Sequence, residues 1–178
     1  DRLCEWGANS IRVGIGGGSI CSTRIQTGHG VPSLESVIDC SNTANDVAII
    51  ADGGIKNSGD IAKALGAKAD FAMIGSILAG SDATPGEIIV SENGSKRKVY
   101  RGMASKDAQL DWRGKASSLE GISTTVPYKG STIEIVEQVD NGIRSAFSYS
   151  GARTINEYWQ KARFVLQSSA ALSESKTH

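Results

Sequence analysis

The residues best suited to chemistry stand in one run, Arg12-Val-Gly-Ile-Gly-Gly-Gly-Ser-Ile-Cys-Ser-Thr-Arg24. Gly14, Gly16, Gly17 and Gly18 let the backbone turn tightly and come close to a ligand or ion. One thiol, Cys21, follows the turn, with Thr23 and Arg24 behind it. Lone cysteines are mostly small buried hydrophobes. A loop that offers backbone N–H groups and a nearby cation favours the thiolate instead, which makes Cys21 a candidate nucleophile. The Thr23 hydroxyl is then placed to orient it or relay a proton.

Two further groups bear on that choice. Asp52-Gly53-Gly54 follows a short apolar run. A carboxylate at a strand end can accept hydrogen bonds from the vicinal hydroxyls of a ribose, and the glycines behind it let N–H groups approach a phosphate. Gly75-Ser76 ends the next apolar run and reads as the start of a helix, again a geometry suited to anions. Each alone reads equally as a sharp turn; two successive glycine-rich strand ends match the phosphate site that barrels build after their last strands. Glu120 reads by default as a solvated carboxylate. Asp111-Trp112-Arg113 puts an aromatic in a polar loop, as a lid anchor or a stacking surface.

Composition narrows the classes. The 178 residues, 39% of them hydrophobic, suffice for one domain with a core. Nineteen basic residues offset nineteen acidic ones, which argues against broad binding to nucleic acid or a membrane surface. No apolar run reaches the roughly 18 residues a membrane span needs. Cys4, Cys21 and Cys40 show no metal-ligand spacing and are odd in number, as expected of reduced thiols in a cytoplasmic protein. His29 and His178 are the only histidines, which argues against a His-based metal site or a Ser-His-Asp triad.

The elements that must position these groups follow a simple alternation. Leu3 to Trp6 reads as a last helical turn closed by Gly7. Ile11 to Ile15, Val47 to Ala51 and Phe71 to Ile74 read as buried strands. A helix capped by Ser33 carries Leu34, Val37, Ile38 and Ala44 on one face; a second runs from Asn57 to Leu65 and stops at Gly66; a short one follows Gly75-Ser76. Apolar strand, glycine loop and helix in succession predict a parallel sheet covered by helices, with the site at the strands' C-terminal ends. From Pro85 the pattern changes. Residues 87–91 and 96–100 flank Asn93-Gly94 and predict a hairpin with a tight primed turn. Residues 101–128 read as a mobile flap. Ser131-Thr-Ile-Glu134 opens a helix ending near Gly142; Thr154-Ile-Asn-Glu157 opens another, with Ile155, Tyr158, Trp159, Ala162, Val165 and Leu166 on one face. The tail from Gln167 reads as loose.

Gly14-Ile-Gly-Gly-Gly-Ser-Ile-Cys-Ser-Thr-Arg24 resembles the cysteine loop of the IMP dehydrogenase/GMP reductase family, whose usual form has Pro where Gly17 stands. Further blocks match in order: Ala51-Asp-Gly-Gly-Ile55, Gly59-Asp-Ile-Ala-Lys-Ala-Leu65, Met73-Ile-Gly-Ser76, Ala83-Thr-Pro-Gly-Glu87, Tyr100-Arg-Gly-Met103, Val126-Pro-Tyr-Lys-Gly130 and Gly142-Ile-Arg-Ser145. The resemblance implies that residues 1–178 are the C-terminal part of one (β/α)8 TIM barrel, α/β in class, with an inserted β-hairpin and a flap at about 101–128. Such a barrel needs about 250 residues, so this segment alone is expected to be inactive.

What the resemblance implies for the site is specific. Cys21 attacks the purine C2, with Thr23 and Glu120 as its catalytic partners. Ser19, Asp52, Gly53, Gly54, Gly75, Ser76, Tyr100, Gly102, Met103, Ala104 and Gly121 hold the nucleotide. Ser148 and Tyr149 contact the nicotinamide cofactor, and the carbonyls of Gly16, Gly18 and Cys21 hold a monovalent cation, K+. Family members are usually homotetramers. Between the two reactions, the short segment from Met103 to Glu120 and the Thr23–Glu120 pair resemble GMP reductase, which converts GMP to IMP with NADPH. So do Thr27-Gly28-His-Gly30 and the stretch from Leu34 to Cys40. Glu120-Gly-Ile and Glu174-Ser175 resemble IMP dehydrogenase, which oxidises IMP to XMP with NAD, and Ser117 stands where the reductase has an arginine. The reductase is the favoured reading. A non-catalytic nucleotide-binding relative and an unrelated barrel enzyme acting on phosphosugars are the remaining alternatives.

Overall fold

The computed structural model describes all residues except 44–46, 118–119 and 176–178; of the expected apolar stripe after Ser33, Ala44 therefore lies outside the described residues. In chain order the elements are α1 (Arg2–Glu5), β1 (Ser10–Val13), α2 (Thr23–Thr27), α3 (Ser33–Thr43), β2 (Ala48–Asp52), α4 (Ser58–Gly66) and β3 (Phe71–Met73). There follow β4 (Ile88–Val90), β5 (Lys96–Arg101), α5 (Lys106–Arg113), β6 (Ser123–Pro127), α6 (Thr132–Tyr149), α7 (Ile155–Lys161) and α8 (Ser169–Glu174). No helix among the described residues is long and apolar enough to cross a membrane.

The first three strands form a parallel sheet in the order β1-β2-β3. Parallel neighbours cannot be joined by a tight turn, so the chain crosses over between them through helices. Val13 pairs with Ala51 and Asp52 with Met73, which brings the glycine loops after the strands to one end of the sheet. Side chains alternate. Val13, Ile49 and Ala51 face inward, against Val37 of α3 and Ile61 and Ala64 of α4, and Ile135, Val139 and Ile143 of α6 extend this core. The opposite face carries Arg12, Asp52, Phe71 and Met73, with Phe71 60% and Met73 41% exposed. β3 is therefore covered on one face only, where its apolar composition predicted burial on both.

The second sheet is antiparallel, in the order β4-β5-β6. Two lysine amines, one buried and one exposed, fasten it to the segment after β3. Lys98, 4% exposed, donates to the carbonyls of Ser81 (3.1 Å) and Thr84 (2.5 Å). Lys129 donates to those of Ser76 (2.7 Å) and Ile77 (3.0 Å). A desolvated ammonium is tolerable where carbonyl oxygens satisfy its donors, as at Lys98.

Several expectations are corrected. β1 ends at Val13, and Ile15 is 76% exposed because the glycine loop has already turned away. The segment after Gly75-Ser76 forms turns closed by hydrogen bonds to the Gly75 carbonyl, not a regular helix. Val90 pairs with Lys96, so the hairpin connection is residues 91–95, closed by the Ser91 N–H on the Ser95 carbonyl (3.0 Å), and not a two-residue turn at Asn93-Gly94. The flap contains α5, capped by Ser105 on the Ala108 N–H, and the whole of β6. α7 ends at Lys161, leaving Val165 and Leu166 exposed, and part of the tail forms α8 with Ser168 as its cap.

α6 does not stop at Gly142 but runs on to Tyr149. There the glycine serves packing: a Cβ at 142 would lie 2.1 Å from Ser58 Oγ and 2.5 Å from Ser58 Cβ on α4. In the full-length protein Gly142→Ala should thus destabilise the fold by about 1–3 kcal/mol through overpacking, and Ser58→Gly should restore most of the loss. Thermal unfolding of the single and double variants checks this; an unchanged melting temperature in Gly142→Ala would contradict the close α4–α6 contact.

Candidate active site

The loop after β1 is built by backbone contact that side chains would prevent. Gly14 has φ +123, and a Cβ there would lie 2.0 Å from the Asp52 carbonyl oxygen at the end of β2. Gly53 approaches Gly17 so closely that a Cβ would lie 2.9 Å from its backbone. Only glycine permits such a crossing of two strand ends. Arg24 then closes the loop from behind, donating to the carbonyls of Val31 (2.6 Å) and Ile15 (3.3 Å) in the space left by Gly16 and Gly30.

The flap returns to this loop and pairs with it. Cys21 and Gly121 form an antiparallel bridge. The Ser22 N–H donates to the Glu120 carbonyl (2.8 Å) and the Ile122 N–H to the Ile20 carbonyl (3.0 Å). Side chains follow the backbone. The Cys21 thiol lies 3.2 Å from Thr23 Oγ1, and the Thr23 hydroxyl donates to Glu120 Oε2 at 2.7 Å. Sulfur, hydroxyl and carboxylate thus form a continuous path for a proton, ending at a half-buried nucleophile.

Gly18, Ile20, Cys21, Tyr100, Gly102, Met103, Ala104, Glu120 and Gly121 line one cavity of about 230 Å3. At its rim Ser19 Oγ and Tyr100 OH are 3.4 Å apart, and Tyr100 OH lies 3.3 Å from where a Gly75 Cβ would be. A phosphate-sized anion at this rim would meet two hydroxyls and an unshielded backbone. Asp52, Gly53 and Gly54 also line a separate cavity of about 110 Å3 with Ser33 and α4. Asp52 is held by Arg12, whose Nε is 3.2 Å from Oδ2. Ser76 turns inward, its hydroxyl on the Ile55 carbonyl (3.4 Å).

Ser148 and Tyr149 are not brought to the Cys21 cavity: they end α6, and Tyr149 is 95% exposed. The Gly18 carbonyl accepts the Cys21 N–H (3.1 Å), and a carbonyl oxygen carries a second lone pair. No group of three or more His, Cys, Asp or Glu side chains suited to a metal occurs among the described residues. Away from the site, the hydrogen bond to Asp82 pushes the Tyr128 hydroxyl up, and that to Asp140 pushes Arg144 up. Sequence reasoning missed Arg12, Gln109 and Lys98. A charge inside an apolar strand, one strand away from Asp52, was a readable sign of Arg12; Gln109 lies in a polar segment where nothing marked it for burial.

A model of the IMP dehydrogenase / GMP reductase domain matches residues 1–178. Inosine-5'-monophosphate dehydrogenase of Nitrosopumilus maritimus is 43% identical, over all of this chain and 40% of that protein. GMP reductase of Leishmania major is 43% identical, over 99% of this chain and 38% of that protein. The crystal structure of a Trypanosoma brucei GMP reductase variant in complex with guanosine 5'-monophosphate superposes with a TM-score of 0.93 at 42% identity, over 99% of this chain and 38% of that one. The chain belongs to the IMP dehydrogenase/GMP reductase family, and it spans about two-fifths of the length of these relatives.

The bridge makes a prediction independent of activity. A Cβ at Gly121 would lie 2.4 Å from the Ser105 N and 2.7 Å from the Ala104 carbonyl carbon. Gly121→Ala in the full-length protein should therefore displace the flap and raise amide hydrogen exchange at Ser22 and Ile122, while β2 keeps its protection. Unchanged exchange at both amides would contradict the pairing.

Proposed function

We propose that the protein to which this chain belongs is a GMP reductase, which converts GMP to IMP and ammonia with NADPH, and that residues 1–178 are the C-terminal part of its (β/α)8 barrel. The single observation that carries the reading is the relay: Cys21 and Glu120 both reach the Thr23 hydroxyl, at 3.2 and 2.7 Å, with the flap paired to the cysteine loop at Gly121. Support for the barrel comes from three parallel strands with glycine loops at one end, an uncovered inner face and the two-fifths coverage of its relatives.

The chemistry is that of the family, and the geometry supports it. The Cys21 sulfur bonds to C2 of GMP. The amino group leaves as ammonia, taking the proton that the thiol gives up through Thr23, with Glu120 at the end of the path. A thioimidate joins C2 to sulfur. When bound, a reduced nicotinamide would supply the hydride that C2 takes up; the C–S bond then breaks, and the Cys21 sulfur regains a proton. Overall, GMP, NADPH and one proton give IMP, ammonia and NADP+. Ser19 and Tyr100 hold the phosphate, Asp52 the ribose, and the segment from Gly102 to Ala104 the base. For a planar ring stacked on the purine, the cavity at Cys21 adjoins a second of about 260 Å3 that shares Met103 and Ala104 with it. The Gly16, Gly18 and Cys21 carbonyls are neutral oxygen donors suited to K+. We assign the homotetramer from the family.

IMP dehydrogenase is the second reading, favoured by Glu120-Gly-Ile and by relatives of that name at 43–45% identity. In that reaction water, and not hydride, resolves a thioimidate at Cys21, and the family's dehydrogenases activate that water with an Arg-Tyr pair on a long flap, which the segment from Met103 to Glu120 lacks. A flap bound by backbone pairing beside Cys21 suits the reductase better.

Full-length protein assayed with GMP plus NADPH should oxidise NADPH and release one ammonia per turnover, whereas IMP plus NAD should give no XMP. NAD reduction with IMP, and none of NADPH with GMP, would assign the dehydrogenase. Residues 1–178 alone should turn over neither pair.

A further inference from the structure

We propose that Gln109 is a positioning residue: its buried amide fixes the arm of the flap that presents Glu120 to Thr23. α5 buries little, Ala108 at 5% exposure and Gln109 at 4% being its buried residues. The Gln109 Nε2 donates to the Ala104 carbonyl at 2.8 Å, and its Oε1 accepts from the Ser117 N–H (2.9 Å) and hydroxyl (3.3 Å). One side chain therefore joins the wall of the Cys21 cavity, at Ala104, to Ser117, three residues before Glu120.

An apolar side chain of similar size would anchor α5 at least as well, because a buried amide costs free energy unless its hydrogen bonds are made. What the amide adds is direction. It holds the chain on the N-terminal side of Glu120, as the Cys21–Gly121 bridge holds it on the C-terminal side. Between those two ties the carboxylate meets Thr23 at 2.7 Å, a contact that a shift of about 1 Å would break. Gln109 does not line the Cys21 cavity, so it does not touch the purine; it does line the adjoining cavity with Trp112 and Arg113, and an unchanged KM for NADPH in its variants is what action through Glu120 requires.

The inference rests on the relay assigned to Glu120, and its test separates the two. In the full-length enzyme, Gln109→Met, close in size and unbranched, should lower kcat for GMP by roughly ten- to a hundredfold, with KM for GMP changed by no more than about twofold. Gln109→Asn, which shortens the reach of the amide, should behave alike and serves if the first variant does not fold. Added to Glu120→Gln, either change should cost nothing further, because the relay is already lost. Losses that multiply in the double variant, or a wild-type kcat in Gln109→Met, would overturn the role of Gln109 alone. Full activity in Glu120→Gln would overturn the relay itself, and this inference with it.

Discussion

The site depends on one short stretch of backbone pairing, between residues 20–22 of the cysteine loop and residues 120–122 of the flap. The side-chain relay takes its precision from this pairing, with the Gln109 tie at Ser117 beside it. Thr23 and Glu120 are 97 residues apart in sequence, and a hydroxyl–carboxylate bond of 2.7 Å demands that both backbones be fixed. Backbone hydrogen bonds do this better than long side chains, since each bond ties atoms with little rotational freedom left to lose. Gly121 is what lets the flap come so near, with Ser105 and Ala104 directly behind it.

The rest of the fold serves to deliver those two segments. β1 and β2 end level, and their loops cross at Gly14, Gly17 and Gly53, where no Cβ fits. Gly17 is also where this chain departs from the family's usual proline. A Cβ there would lie 2.5 Å from Ser33 Oγ, so the Ser33 side chain at the start of α3 occupies space that a larger residue would need. On the other side, Lys98 and Lys129 bind the antiparallel sheet to the segment after β3, and so set Tyr100 near Ser19 and Gly75. Arg101 adds a tie to α5 through Asp111 (2.6 Å), though exposed pairs of this kind contribute little.

The parts legible in the sequence were those with a strong local signal. Strand 47–51 emerged as Ala48–Asp52, and the caps at Asn57, Ser131 and Thr154 each accept the backbone N–H three residues on. Cys21 and Thr23 were readable as a pair because they are near neighbours. The remainder was decided by tertiary contact. α5 is polar and has weak periodicity; its buried anchor is an amide, which no hydrophobic pattern reveals. Gly142 looked like a helix end because glycine usually is one, but here it clears room for Ser58. Phe71 and Met73 looked buried and are exposed, because the face they occupy is uncovered in this chain. That Glu120 would meet Thr23 came from family resemblance, since no spacing rule joins positions so far apart.

The central claim is that Cys21 forms a covalent bond to the purine, and this holds for either reaction of the family. Its most direct test is acid quenching of the full-length enzyme during turnover, followed by mass spectrometry of the peptide that carries Cys21. With GMP the account predicts a peptide heavier by the nucleotide less ammonia, abolished in Cys21→Ala. Turnover with the Cys21 peptide unmodified at every quench time, and undiminished in Cys21→Ala, would contradict it.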